Sequence, residues 1–164
     1  MRIRDLEPHE WALIRELRLR ALADSPDAFA RTLAEALGEN DAYWVRLAGS
    51  VTKPGSQVMR IAEVDGRPVG LAFGLFDKER AATGHVGGMW VEPQARGRGV
   101  GNALIDSVIA WARSLGLDRL ELWVTKGNGS AMRLYERAGF VDTGRRDALA
   151  SNPALQIIQM ALNL

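Results

Sequence analysis

The sequence predicts an α+β fold whose sheet carries at least one βαβ crossover. Three observations predict it. Short alternating, strand-like patterns come early in the chain, strands alternate with helical spacing from about residue 83 onward, and turn dipeptides separate the segments. With 164 residues, 47% hydrophobic and 25% charged, the chain suits one compact domain with a single good core.

Each element has its own signal. Residues 2 to 6 alternate as a short strand, and residues 8 to 26 place Trp11, Ile14, Leu17 or Arg18, and Leu22 at helical spacing until Pro26 ends the helix. A second helical region is expected from about residue 26 to 48, broken near Gly38, before a turn at Lys53, Pro54, Gly55 and Ser56. Residues 57 to 77 read as two strands joined by the hairpin signal Asp65-Gly66. A third strand follows at 83 to 92, then a helix from about Gly99 to Ser114 with apolar Val100, Leu104, Val108, Trp111 and Leu115. Next come a strand "RLELWV", a short helix from Asn128 to Ala138 stopped by Gly139, and strands at 140 to 147 and 155 to 162. No internal repeat or low-complexity linker interrupts them.

Composition removes several classes of function. The formal net charge is only +1, with basic residues bunched at Arg15, Arg18 and Arg20, at Arg96 and Arg98, and at Arg145 and Arg146. That distribution favours a small anionic ligand and argues against a nucleic-acid partner. The chain has no cysteine, which excludes a disulfide framework, a thiolate metal site and a cysteine nucleophile. His9 and His85 lie far apart with no carboxylate cluster at ligand spacing, so no metal is expected. The amino terminus lacks an apolar signal core and no run approaches membrane-spanning length, so a soluble cytoplasmic protein without a membrane partner is expected. Trp11, Trp44, Trp90, Trp111 and Trp123 read mostly as core or pocket wall, and Arg15 and Arg18 as a solvated helix face.

One stretch stands out. Residues 96 to 101, "RGRGVG", put three glycines and two arginines between a strand and a helix. Unpaired amides and the positive end of the helix dipole both point at such a turn, and glycine lets a ligand approach the backbone. A phosphate or pyrophosphate suits it. There is no Gly-Lys-Ser or Gly-Lys-Thr for a Walker loop, and the dinucleotide fingerprint fails at Asn102, although Glu121 lies about 20 residues beyond the turn. A plain glycine-rich connection stays open on this segment alone.

A second segment, "NGSAMRLYERAGF" at 128 to 140, narrows the choice. Asn128 fits an N-cap, Ala131, Leu134 and Ala138 a packed face, and Gly139 the C′ position. Tyr135 follows Asn128 by seven residues, nearly on the same face and about 10 Å along the axis. Taken together, the two segments resemble the motifs of the GNAT N-acetyltransferase superfamily. The first motif is matched by Arg96, Gly99 and Gly101, and the second by Asn128, Ala131, Tyr135, Glu136, Arg137, Gly139 and Phe140.

The resemblance implies one GNAT-like domain over residues 1–164, with a mixed, mostly antiparallel twisted sheet of about six to seven strands flanked by helices. It implies acetyl-CoA as acyl donor, its pyrophosphate on the amides of Arg96, Gly97, Arg98, Gly99, Val100, Gly101 and Asn102. Met89, Trp90 and Val91 would line the pantetheine arm, Asn128 would stand near it, and Tyr135 would serve the sulfur as a proton donor. Gly87 and Gly88 suit a bulge where that arm inserts, or a simple strand irregularity. The implied reaction passes the acetyl group directly to a primary amine in a ternary complex, with a backbone amide near Met89 to Val91 on the developing oxyanion. His85 stands where several family members carry a glutamate base, eleven residues before Arg96. That departure leaves His85, Glu121 and bulk-connected water as candidate proton acceptors. A non-catalytic CoA-binding sensor or interaction module on the same fold is the alternative. The implied partners are acetyl-CoA and an amine acceptor, and a homodimer is allowed. Residues 22 to 45 and 143 to 154, the acceptor side in the family, carry no motif that names the amine.

Overall fold

A computed structural model of the chain describes residues 1–53, 55, 57–77, 79–80 and 82–164. The chain begins with β1 (Arg2–Asp5) and α1 (Trp11–Asp24). The expected second helical region is three pieces: a 3-10 turn (Pro26–Ala28), α2 (Leu33–Leu37) and α3 (Asp41–Val51). Local capping explains the division. Thr32 and Glu35 form a reciprocal capping box that starts α2, and Asn40 accepts from the Tyr43 amide at 3.0 Å to start α3 just past Gly38. Of the turn expected at 53 to 56, Pro54 and Ser56 lie outside the described residues.

The rest follows as β2 (Gln57–Val64), β3 (Arg67–Phe76), β4 (Thr83–Val91), a 3-10 turn (Pro93–Ala95), α4 (Val100–Ser114), β5 (Arg119–Thr125), α5 (Gly129–Arg137), β6 (Val141–Leu149) and β7 (Asn152–Asn163). The last two strands run longer than their apolar patterns, because the antiparallel ladder carries them to a tight turn at Ala150 and Ser151. Seven strands form one sheet in the order β1-β2-β3-β4-β5-β7-β6. Every pairing is antiparallel except β4 with β5, which α4 joins as the crossover.

Strand alternation splits the core into two layers. On one face, Leu104, Ile105, Val108 and Trp111 of α4 pack with Val58, Ala62, Ala72, Val86, Leu120 and Leu122. On the other, Ile14 and Leu17 of α1 and Trp44 of α3 pack with Met59, Ile61, Leu71, Phe73 and Trp90. Not every tryptophan is interior: Trp123, on the same strand face as Glu121, is 36% exposed, with the Arg145 guanidinium 6.0 Å from its ring.

Two irregularities position the site. The parallel pair β4–β5 is in register only from Thr83–His85 against Arg119–Glu121, so the strands part toward the carboxyl end of β4. Leu71 lies opposite Trp90 but Phe73 lies opposite Gly87, which leaves one extra residue on β4 between them. That is a β-bulge, and Gly88 occupies it at φ +56°. Of the two readings of Gly87 and Gly88, the bulge is the correct one.

Candidate active site

After β4 the chain turns through Pro93–Ala95 and reaches α4 by way of Gly97 at φ +73° and Gly99 at φ +80°. These conformations are open to glycine and strained for residues with a Cβ. Gly99 is the N-cap, the Gly99 carbonyl takes the first helical bond from the Ala103 amide at 3.0 Å, and Val100 anchors the helix start in the core. The amides of Val100, Gly101 and Asn102 therefore precede the first intrahelical donor, the Ala103 amide, and have no carbonyl of the helix to bond. No atom lies within 4 Å of where a Cβ would stand on Gly97 or Gly99, so the turn presents bare backbone to open space.

The two arginines of the turn have different fates. Arg96 donates from Nε to the Val91 carbonyl at 2.9 Å and forms an ion pair with Asp24 at the end of α1. Asp24 also accepts from Trp90 Nε1 at 2.8 Å and Ser25 Oγ at 2.6 Å. Burial alone would raise the Asp24 carboxyl's pKa, but the bonds from Ser25, Trp90 and Arg96 outweigh it and hold the group below the usual carboxylate range. Arg96 thus ties α1 to β4, while Arg98 stays exposed on the turn.

From the turn a cleft of about 450 Å³ runs between β4 and α5. Met89, Trp90, Val91, Arg96, Gly97, Gly99, Gly101, Asn102, Asn128 and Tyr135 all line it. Of the other expected ligand residues, Val100 is in the core and Arg98 is exposed and not among the lining residues. Asn128 accepts from the Ala131 amide at 3.3 Å, so its side chain is the N-cap that fixes α5 against the cleft. Tyr135 is 8% exposed, its ring meets Phe140 edge to face at 6.0 Å, and burial pushes its phenol up to about 12.

His85 lies elsewhere. It sits four residues before Met89 on β4, about 13 Å along the strand, and is not part of the cleft lining. Its Nε2 is 3.1 Å from Asp77 Oδ2 and 3.3 Å from Arg80 Nη2. Arg80 also binds Asp77 at 2.9 Å and Glu121 at 2.7 Å, and Glu121 accepts from Arg119 at 2.9 Å and Gln159 at 3.3 Å. Hydrogen bonds from His85 and Arg80 hold the Asp77 carboxyl well below its ordinary value. For Glu121, burial raises the pKa, but Arg80 and Arg119 lower it by more, so it is a committed carboxylate with both oxygens bonded.

Sequence reasoning missed Ser25, Ala28 and Phe29, which wall the cleft opposite α5. They lie in the segment without a motif, and only the docking of α1's end on β4 brings them there. It also misjudged Arg18, whose guanidinium is packed 5.1 Å from the Phe29 ring and 5.7 Å from the Phe73 ring rather than on a solvated face. The helical row Ile14, Leu17, Leu22 already pointed inward at that position.

A strand, a glycine turn and a helix amino terminus, opening onto a gap between two parting parallel strands, define a class of α+β domains with a cleft beside the start of a helix. The chain belongs to the acetyltransferase (GNAT) family, whose sequence profile matches residues 13–140. It is 33% identical over 136 residues to a mycothiol acetyltransferase of Beutenbergia cavernae, an overlap covering 83% of this chain and 42% of that protein. The chain thus spans less than half the length of that relative. Its fold is also that of a GNAT-family acetyltransferase of Streptococcus pneumoniae, with TM-score 0.83, 22% identity and 99% and 98% of the two chains covered. The yncA structure from Salmonella typhimurium, described with its cofactor acetyl-CoA, superposes with TM-score 0.81 at 20% identity, covering 100% of this chain and 94% of that one.

Proposed function

We propose that the cleft binds acetyl-CoA and that the chain transfers the acetyl group directly to a primary amine within a ternary complex. The observation that carries this reading is the continuity of one cleft from the bare glycine turn to Tyr135 through the gap where β4 leaves β5. The pyrophosphate sits on the amides at the start of α4, and the pantetheine arm lies along Met89 to Val91. The amine nitrogen attacks the thioester carbonyl carbon, the C–S bond breaks, and an amide near Met89 to Val91 holds the developing oxyanion.

Tyr135 stays protonated at neutral pH, so its hydroxyl donates to the sulfur as negative charge builds there. A thiol of pKa about 8.5 is a stronger acid than this phenol, so the phenol's proton is replaced from the ammonium formed in the same step. The acceptor arrives as an ammonium, and His85, held by Asp77, takes this first proton through water rather than by contact, given its place outside the cleft; the second proton, shed by the nitrogen after attack, is the one returned to Tyr135. The mycothiol acetyltransferase similarity supports acetyl transfer by this chain as well.

The test uses Gly101, whose Cβ would make ordinary contacts of 3.4 Å with Leu134 and 3.7 Å with Met89, both lining the cleft. Gly101→Val should keep the fold and fill the ligand path, weakening acetyl-CoA by at least about tenfold in calorimetry. Unchanged affinity in the folded variant would remove the proposed placement. Binding by the wild type without thiol release across a panel of amines would leave a CoA-binding module without turnover.

A further inference from the structure

The most unusual charge in the molecule is Arg18. The other two arginines of α1 have carboxylate partners: Arg15 pairs with Asp41 at 3.2 Å, and Arg20 with Glu16 and Glu92. Arg18 has none among the described residues, and its Nη1 is buried without a hydrogen-bond partner. Phe29 and Phe73 cover it with their rings, but stacking engages the faces of a guanidinium and leaves its in-plane N–H groups unpaired. Buried donors are ordinarily bonded, so an orphan of this kind calls for a ligand or a cause. Burial lowers the pKa of Arg18, as it does for any cation without a counter-ion, yet a guanidinium keeps its charge.

Its position supplies the cause. A Cβ on Gly88, the bulge residue, would stand 3.0 Å from Arg18 Nη1, and Gly88 directly precedes Met89 of the cleft lining. Phe29, which stacks on Arg18, lines the same cleft. The guanidinium therefore borders the inner wall of the cleft, beyond His85, the last residue of β4 that pairs with β5. Arg31, the cation whose charge acts on Arg18, is itself bonded to Glu39 and Tyr43 and offers no counter-charge.

We propose that Arg18 is the specificity residue of the acyl-transfer site and takes a carboxylate carried by one of the two reactants beside the reacting carbonyl. The proposal rests on the acetyl-CoA reading of the cleft. A carboxylate fits the planar fork of a guanidinium in a way that a neutral amide does not. It has two sources: the acceptor amine, as in an amino acid, or the far end of a longer acyl chain, as in a dicarboxylic acyl-CoA.

Calorimetry separates them. In the acceptor arm, glycine, L-alanine and L-phenylalanine are each compared with their carboxamides, on the CoA-saturated protein and on the free protein. In the donor arm, succinyl-CoA is compared with acetyl-CoA. The expected result is a preference of roughly 10- to 100-fold for the acid in one arm, as for a hydrogen bond between charged groups, with the preference abolished in Arg18→Gln and partly retained in Arg18→Lys. A merely structural role would weaken the acid and its uncharged counterpart alike in Arg18→Gln, so the ratio of the two affinities is the readout. Equal affinities in both arms for the wild type, or a preference that survives in Arg18→Gln, would overturn the proposal. If Arg18→Gln does not fold, the test is read in Arg18→Lys, where the preference should fall but not vanish, and an undiminished preference would overturn the proposal. Failure of the wild type to bind acetyl-CoA would instead overturn the cleft assignment, and the acid and amide comparison on the free protein would still decide Arg18.

Discussion

Tyr135 shows how burial and reactivity meet in one side chain. Its ring fills part of the core beside Phe140 while its edge lines the cleft, and the same burial keeps the phenol protonated across the working pH range. Removing only the hydroxyl leaves the packing intact. Tyr135→Phe should therefore lower kcat about 10- to 1,000-fold with little change in acetyl-CoA affinity or melting temperature, measured where chemistry limits the rate. Equal kcat in the two proteins would make Tyr135 a packing residue.

At the scale of the element, β4 does two tasks with one strand. Its first three residues pair with β5 and hold the sheet together, and its bulge turns the remainder away to open the gap. The bulge depends on a glycine for two separate reasons. Gly88 sits at φ +56°, and a Cβ there would come within 2.5 Å of the Phe73 ring as well as 3.0 Å of Arg18 Nη1. Gly88→Ala should destabilise the protein by about 2–4 kcal/mol in denaturant unfolding, from backbone strain and overpacking together. Acetyl-CoA binding should weaken in the same variant because the wall at Met89 moves. A neutral effect on stability would mean that the bulge relaxes freely.

At the scale of the molecule, the charge cluster around Glu121 joins the segment after β3, β4, β5 and β7. Glu121 is 3% exposed and receives bonds from Arg80, Arg119 and Gln159, while Asp77 binds both Arg80 and His85. Both carboxyls have pKa values below their unfolded values. The sign follows directly: such a group contributes its full stability above its unfolded pKa, about 4.3 for Glu, and loses it as pH falls through the lower folded value. Glu121→Gln should be less stable than wild type by about 1–2 kcal/mol at pH 7, a figure reduced because Arg80 and Arg119 are themselves well exposed to solvent. The gap should close below about pH 4 in thermal unfolding followed across pH. A gap independent of pH would show that the carboxylate's charge is not what stabilises this junction.

Periodicity and turn chemistry in the sequence settled the order of strands and helices, the hairpin at Asp65-Gly66, the caps at Asn128 and Gly139, and the family motifs at 96 to 101 and 128 to 140. Those are local quantities. A helix start needs a capping side chain within three residues, and a glycine turn needs only its own φ angles, so neighbouring residues carry the whole signal. The splitting of 26 to 48 into three helical pieces was legible too, in Thr32 and Asn40, had the caps been weighed above the apolar spacing. What only the tertiary structure decided is where distant segments meet: Asp24 on Arg96, Phe29 in the cleft wall, His85 away from the cleft and against Asp77, and Arg18 turned inward beneath the Gly88 bulge. These depend on how α1 docks across β3 and β4 and on how far β4 parts from β5. Both are set by packing between residues tens of positions apart, which no local pattern encodes.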